Sequence, residues 1–160
     1  MKKFYYRAFQ FFMRLAMYFL PWRQPKLLKG ENACRQIPNI LKEKNITSVL
    51  VVGDAGITKF GLNKTVTESL KESNINFEYY DKTVPNPTID NIEEALELYK
   101  THNCQGIIAI GGGSSMDCAK GVAARAANPK KSITKMRGLL KVGGKLPLLI
   151  AVPTTAGSGS

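Results

Sequence analysis

Beyond residue 30 the chain alternates between two kinds of hydrophobic pattern. SVLVV (48–52) is a short continuous apolar run rich in Val, the pattern of a strand covered on both faces, and GIIAI (106–110) and LPLLIAV (146–152) read as two further strands. INFEYYD (75–81) alternates more, as a less deeply covered strand does. Between these runs the apolar residues recur at helical spacing. ENACRQIPNILKEKNI (31–46) places Ile37, Ile40 and Leu41 on one face despite Pro38, and predicts a helix. GITKFG (56–61) and LNKTVTESLKES (62–73) predict one or two short helices. IDNIEEALELYKTHN (89–103) predicts a strong helix, with Asp90 as its cap, Glu93 and Glu94 in the first turn, and Ile92, Leu96 and Tyr99 buried. SSMDCAKGVAARAAN (114–128) is a further helix, and KSITKMRGLLKVGGKLP (131–147) a short helix and loop. Strand and helix in repeated succession predict an α/β domain, a parallel sheet with helices on both faces. There is no internal repeat and no low-complexity segment.

The first 29 residues are of a different kind. In MKKFYYRAFQFFMRLAMYFLPW, Lys3, Arg7, Gln10 and Arg14 are four, three and four apart and form one polar stripe on a helix. Phe4, Phe9, Phe11, Phe12, Leu15, Phe19 and Leu20 cover the rest, and Pro21 ends the segment. Arg7 and Arg14 interrupt it, so it does not read as a membrane span, and it lacks the layout of a signal peptide. One reading is a helix docked on protein; the other is an interfacial helix making peripheral membrane contact through residues 1–20. The expected organisation is thus an amphipathic helix and linker over 1–29, then an α/β domain over 30–160.

Charge changes the picture only after it is divided. The 160 residues hold 23 Lys and Arg against 12 Asp and Glu, a net charge of +11. Residues 1–29 hold seven of the basic residues and no acidic one, leaving 16 against 12 from Gly30 onward. No nucleic-acid-binding motif accompanies these charges, and nucleic acid is not expected as a partner. Cys34, Cys104 and Cys118 form no C-x-x-C and read as small buried hydrophobes in a reducing, cytoplasmic setting. His102 is the single histidine, which closes most metal-site options, and it reads as a solvated helix end with no role.

Ligands of parallel α/β sheets sit outside the carboxyl ends of the strands. The first strand exits into Gly53-Asp54-Ala55-Gly56, the third into Gly111-Gly112-Gly113-Ser114-Ser115, and the fourth into PTTAGSGS (153–160). Three small or hydroxyl-rich loops at three strand ends suit a phosphate-bearing ligand. The glycine run fails the usual dinucleotide fingerprint, because Met116 stands at the third glycine position and no acid follows about 20 residues on. What remains is a glycine turn opening a helix whose N–H groups and dipole favour an anion. Ser114 and Asp117 also fit a capping box, and Lys120 is placed to pair with Asp117. Asp54 either caps the next helix or accepts both hydroxyls of an adenosine ribose, a position that repels a 2′-phosphate and selects NAD over NADP. Thr154, Thr155 and Ser158 either offer donors to a ligand or satisfy their own backbone. VPNPT (84–88) is a turn by composition.

VVGDAGITKFGL, VPNPT, AIGGGSSMDCAK and PTTAGSGS, in this order and spacing, resemble the iron-containing (group III) alcohol dehydrogenases over roughly Lys29 to Ser160. The resemblance implies a Rossmann-like NAD-binding domain followed by a helical domain, with the active site between them. It implies that Asp54 holds the adenosine ribose and that Gly112, Gly113, Ser114 and Ser115 receive the pyrophosphate. Asn86, Thr154, Thr155 and Ser158 would line the path to the nicotinamide. The family's divalent iron is held by one Asp and three His of the helical domain, none assignable here; no metal ligand or catalytic residue is expected in these 160 residues. Ser158 stands where the family usually has Thr, and Gly53 where Thr is common. The chain stops at Ser160, inside a loop that family members continue, as expected of a truncated sequence.

The expected activity of the intact protein is NAD-dependent, iron-assisted interconversion of small alcohols and aldehydes by hydride transfer, in a cytoplasmic homo-oligomer. These residues alone would bind cofactor at most. The glycerol dehydrogenase branch of the same fold is an enzymatic alternative. It ranks lower because its glycine loop typically lacks the S-x-x-D-x-A-K pattern of Ser114 to Lys120. A non-catalytic membrane-associated nucleotide-binding module, or a degenerate fragment, is the alternative from another class.

Overall fold

The computed structural model describes residues 2–19, 24–138 and 141–155. They belong to two compact units, Met1–Gly30 and Glu31–Ser160. The first contains one helix, α1 (Lys2–Phe19). Phe9, Phe11, Phe12 and Leu15 are exposed on it, as are Arg7, Gln10 and Arg14. The expected contributions of Leu20 and Pro21 lie outside the described residues. No helix among the described residues is long and apolar enough to cross a membrane.

The second unit is the expected parallel sheet. Its strands are β1 (Ser48–Val52), β2 (Asn76–Tyr80), β3 (Gly106–Gly111) and β4 (Leu148–Pro153), in the order β2-β1-β3-β4, every pair parallel. The helices are α2 (Ile37–Glu43), α3 (Ala55–Lys59), α4 (Lys64–Glu72), α5 (Ile89–Thr101) and α6 (Gly113–Ala127). Alternation along the strands divides the core in two. Val49, Val51, Ile108 and Ile110 face Ile37, Leu41, Ile57, Val66 and Leu70 of α2, α3 and α4. Leu50, Val52, Ile107 and Ala109 face Ile92, Ala95, Leu96, Cys118, Ala119 and Val122 of α5 and α6. Both central strands are therefore sealed on both faces, which is why their sequences carry no polar residue inside the run. Fully burying one such Leu or Ile contributes about 1.5–3 kcal/mol.

Three local expectations are corrected. The helix expected over 31–46 is split into a 3₁₀ turn, Ala33–Gln36, and α2. Pro38 lies in the first turn of α2, where its missing N–H would have had no intrahelical acceptor. The cap of α5 is Thr88, not Asp90: Thr88 has the extended backbone a cap requires, and its Oγ1 accepts from the Asn91 amide at 3.2 Å. Asn91 Oδ1 returns the bond to the Thr88 amide, and Asp90 sits in the first turn instead. α6 likewise starts at Gly113, one residue before the expected Ser114. Cys104 and Cys118 are buried and Cys34 half-buried, all as free thiols. Arg125 of α6 holds Glu93 of α5 through two bonds of 2.6 and 3.2 Å, and its Nη1 donates to the carbonyls of Asn128, Pro129 and Lys131. His102 ends α5 with its Nδ1 3.1 Å from Glu78 of β2.

Candidate functional site

β1 and β3 are neighbours in the sheet, yet the chain leaves them toward opposite faces, to α3 after β1 and to α6 after β3. That divergence opens a crevice at the carboxyl ends of the two strands, the switch point at which α/β sheets bind ligands. Asp54 stands on one lip and the glycine run on the other.

Asp54 has extended backbone and caps α3, its Oδ1 accepting from the Ile57 amide at 3.0 Å. Its Oδ2 accepts from Ser115 Oγ at 3.4 Å, a long hydrogen bond that crosses the switch point. A carboxylate has about four acceptor sites, so two remain open on this half-buried group. Gly111 ends β3 at φ +142°, in a region that L side chains rarely adopt. A Cβ there would also meet Ser115 Oγ at 2.5 Å. Gly53 has a different reason: a Cβ would lie 2.5 Å from the Tyr79 hydroxyl, so Tyr79 of β2 fills the space a side chain at 53 would occupy. That hydroxyl is buried with no hydrogen bond of good geometry. Burial pushes the phenol above its ordinary value, against the opposing effect of the Thr58 hydroxyl.

Gly112 is the N-terminal boundary of α6 and Gly113 its first residue. A Cβ at Gly113 would meet nothing within 4 Å, and one at Gly112 only the Thr155 side chain at 3.7 Å, so bare backbone faces the crevice. Intrahelical bonding begins with the Met116 amide, which donates to Gly112 O at 3.2 Å. The amides of Gly113, Ser114 and Ser115 precede it, where a helix has no carbonyl of its own to offer them. Register brings the fourth strand's loop alongside: Gly111 pairs with Pro153, and the Thr154 amide donates to Gly111 O at 3.0 Å. The VPNPT turn closes in from the other side, with Asn86 at φ 56° and its amide donating to Ser114 Oγ at 3.3 Å.

The expected capping box at Ser114 and Asp117 is not formed. α6 starts at Gly113, which puts Ser114 inside the first turn, and no side chain caps Gly112. Asp117 points into solvent and pairs with Lys120 at 3.1 Å, as that spacing suggested. Of the nine candidate residues, Asp54, Gly112, Gly113, Ser114, Ser115, Asn86, Thr154 and Thr155 gather around this crevice, while Ser158 lies outside the described residues. Sequence reasoning missed Tyr79 and Asp81. Asp81 directly follows β2, as Asp54 follows β1, and accepts from Thr58 Oγ1 at 3.4 Å; the same strand-end position was its signal.

A carboxylate, an open glycine turn and the first amides of a helix meet at the switch point of a parallel sheet, where such sheets take their ligands. The second unit is thus a Rossmann-like α/β domain. The chain belongs to the iron-containing alcohol dehydrogenase family, whose model matches residues 24–160. It is 39% identical to alcohol dehydrogenase 4 of Schizosaccharomyces pombe, over 83% of this chain and 31% of that protein. It is 37% identical to choline dehydrogenase of Bacillus subtilis, over 85% of this chain and 35% of that protein. Among solved structures it superposes on the NADH-dependent butanol dehydrogenase A of Thermotoga maritima with a TM-score of 0.75 at 29% identity, covering 88% of this chain and 35% of that one. The chain spans about a third of the length of the curated relatives it matches.

Proposed function

We propose that this chain is the NAD-binding part of an alcohol dehydrogenase that interconverts small alcohols and aldehydes. The support is the clamped Asp54 carboxylate facing an open helix N-terminus across the switch point, together with the names its relatives carry. Asp54 accepts from the adenosine ribose hydroxyls, and Asp81 adds a second negative charge at the end of β2 that disfavours a 2′-phosphate. The amides of Gly113, Ser114 and Ser115, on the bare turn begun by Gly112, receive the pyrophosphate. Ser115 contributes its amide only, because its hydroxyl is turned inward to Asp54. Asn86, Thr154 and Thr155 line the path to the nicotinamide, which supplies the hydride acceptor when bound.

No group of three or more His, Cys, Asp or Glu side chains among the described residues is placed to hold a metal. The described residues by themselves do not fit an iron site. We assign the intact protein to the cytoplasm, as a homo-oligomer.

Titration calorimetry of the chain with NAD and with NADP tests the reading. NAD binds more tightly than NADP, and Asp54→Asn, which keeps a capping side chain, weakens NAD about tenfold or more and narrows the preference. Absence of NAD binding by the unaltered chain, or an unchanged preference in Asp54→Asn, would overturn it.

A further inference from the structure

We propose that α1 is a peripheral anchor for anionic lipid, lying in the headgroup layer with its arginines toward lipid phosphates and its aromatic rings beneath them. This inference is independent of whether the crevice binds NAD. The helix lies outside the residues that match the family, which begin at 24, so the shared fold does not account for it. Its charge is of one sign: α1 holds Lys2, Lys3, Arg7 and Arg14 and no acid. The helices that pack on this chain's own sheet are different. α4 carries Lys64, Glu68, Lys71 and Glu72, and α5 carries Asp90, Glu93, Glu94, Glu97 and Lys100. Mixed signs suit a solvated face, whereas a uniformly basic helix is complementary to an anionic surface.

The apolar residues point to the same partner. Phe9, Phe11, Phe12 and Leu15 are between 48% and 67% exposed. At 100° per residue, Phe9 and Phe12 fall across the helix from the stripe of Arg7, Gln10 and Arg14, and Leu15 lies on the flank between. Phe11 falls beside that stripe, at the level where an aromatic ring meets the headgroups. The arginines rule out a span, in keeping with the absence of any spanning helix among the described residues. Cationic stripe, aromatic face and insufficient apolar length together define an interfacial helix.

Sedimentation of the full chain with vesicles tests this. The chain should pellet with mixed phosphatidylcholine–phosphatidylserine vesicles and remain soluble with phosphatidylcholine alone. The double variant Arg7→Glu, Arg14→Glu should lose at least about tenfold in partitioning. Phe9→Ser with Phe12→Ser should lose binding even to the anionic vesicles, with the far-ultraviolet dichroism of the α/β unit retained. The proposal is overturned if the chain ignores anionic vesicles, or binds both kinds equally. It is equally overturned if sizing shows α1 joining two copies in a complex that the phenylalanine substitutions break and vesicles do not displace.

Discussion

Ser115 and Asp54 are 61 residues apart in the chain, and a hydroxyl-to-carboxylate bond of 3.4 Å joins them across the switch point. Ser115 is 1% exposed, so its side chain serves the carboxylate, not the solvent. Ser115→Ala should fold normally but weaken NAD binding by about three- to tenfold, since Asp54 then keeps only its bond to the Ile57 amide. Asp54→Ala should lose affinity more steeply and also about 1 kcal/mol of stability through the α3 cap. Calorimetry and denaturant titration on both variants check this. Equal NAD affinity in Ser115→Ala and the unaltered chain would remove Ser115 as a positioning residue.

Gly53 and Tyr79 compete for one volume. A Cβ at 53 would stand 2.5 Å from the Tyr79 hydroxyl and 3.3 Å from its ring carbon Cζ. Gly53→Ala should therefore cost about 1–3 kcal/mol by overpacking. Tyr79→Phe deletes a buried hydroxyl that lacks a good partner, so alone it should change stability little or raise it. Combined with Gly53→Ala it should recover much of the loss. A double-mutant cycle measured by urea unfolding reports the coupling, and additive effects would contradict it.

Gly121 sits inside α6, where Ala ordinarily stabilises a helix by about 1 kcal/mol. Here a Cβ would meet Ile92 Cδ1 at 2.6 Å and Cγ1 at 2.9 Å, because α5 and α6 approach closely at this residue. The collision involves a packed side chain in a core that cannot relax freely, so it outweighs propensity. Gly121→Ala should lower the thermal midpoint, and adding Ile92→Val, which removes Cδ1, should restore part of it. A rise in midpoint for Gly121→Ala alone would show that propensity wins.

Alkaline pH should destabilise the fold in a defined window. Burial pushes Tyr80 from 10.0 up to about 12, with its Asn91 bond opposing and Glu94 adding to the rise. Burial pushes Tyr79 and Tyr99 in the same direction. The unfolded chain thus gives up these protons at lower pH than the folded chain does. Their stabilising contribution is complete below pH 10 and is lost as pH rises through about 12. Urea midpoints measured across that range should fall, and Tyr80→Phe should flatten part of the slope. A constant midpoint up to pH 12 would contradict the assignment.

Asp54 and the glycine turn were legible in advance because each directly follows an apolar run, and strand ends in parallel sheets face the ligand side. The boundaries were less legible. Thr88 rather than Asp90 caps α5, and α6 begins one residue before Ser114, because a cap is chosen by backbone angles that residue type only biases. Tyr79 left no trace in the sequence: it lies 26 positions from Gly53, and only the pairing of β1 with β2 brings its hydroxyl against the Gly53 backbone.

Hydrophobic period and residue type act over a few neighbouring positions, and they were enough to establish the strands, most of the helices and the parallel α/β class. Strand order is a long-range outcome. With β1 and β3 adjacent and their helices on opposite faces, an acid after one strand and a glycine turn after the other become two lips of one crevice. Only the register between β3 and β4 sets Thr154 against Gly111. Local pattern wrote the parts of the site, and the burial of both sheet faces decided which of those parts meet.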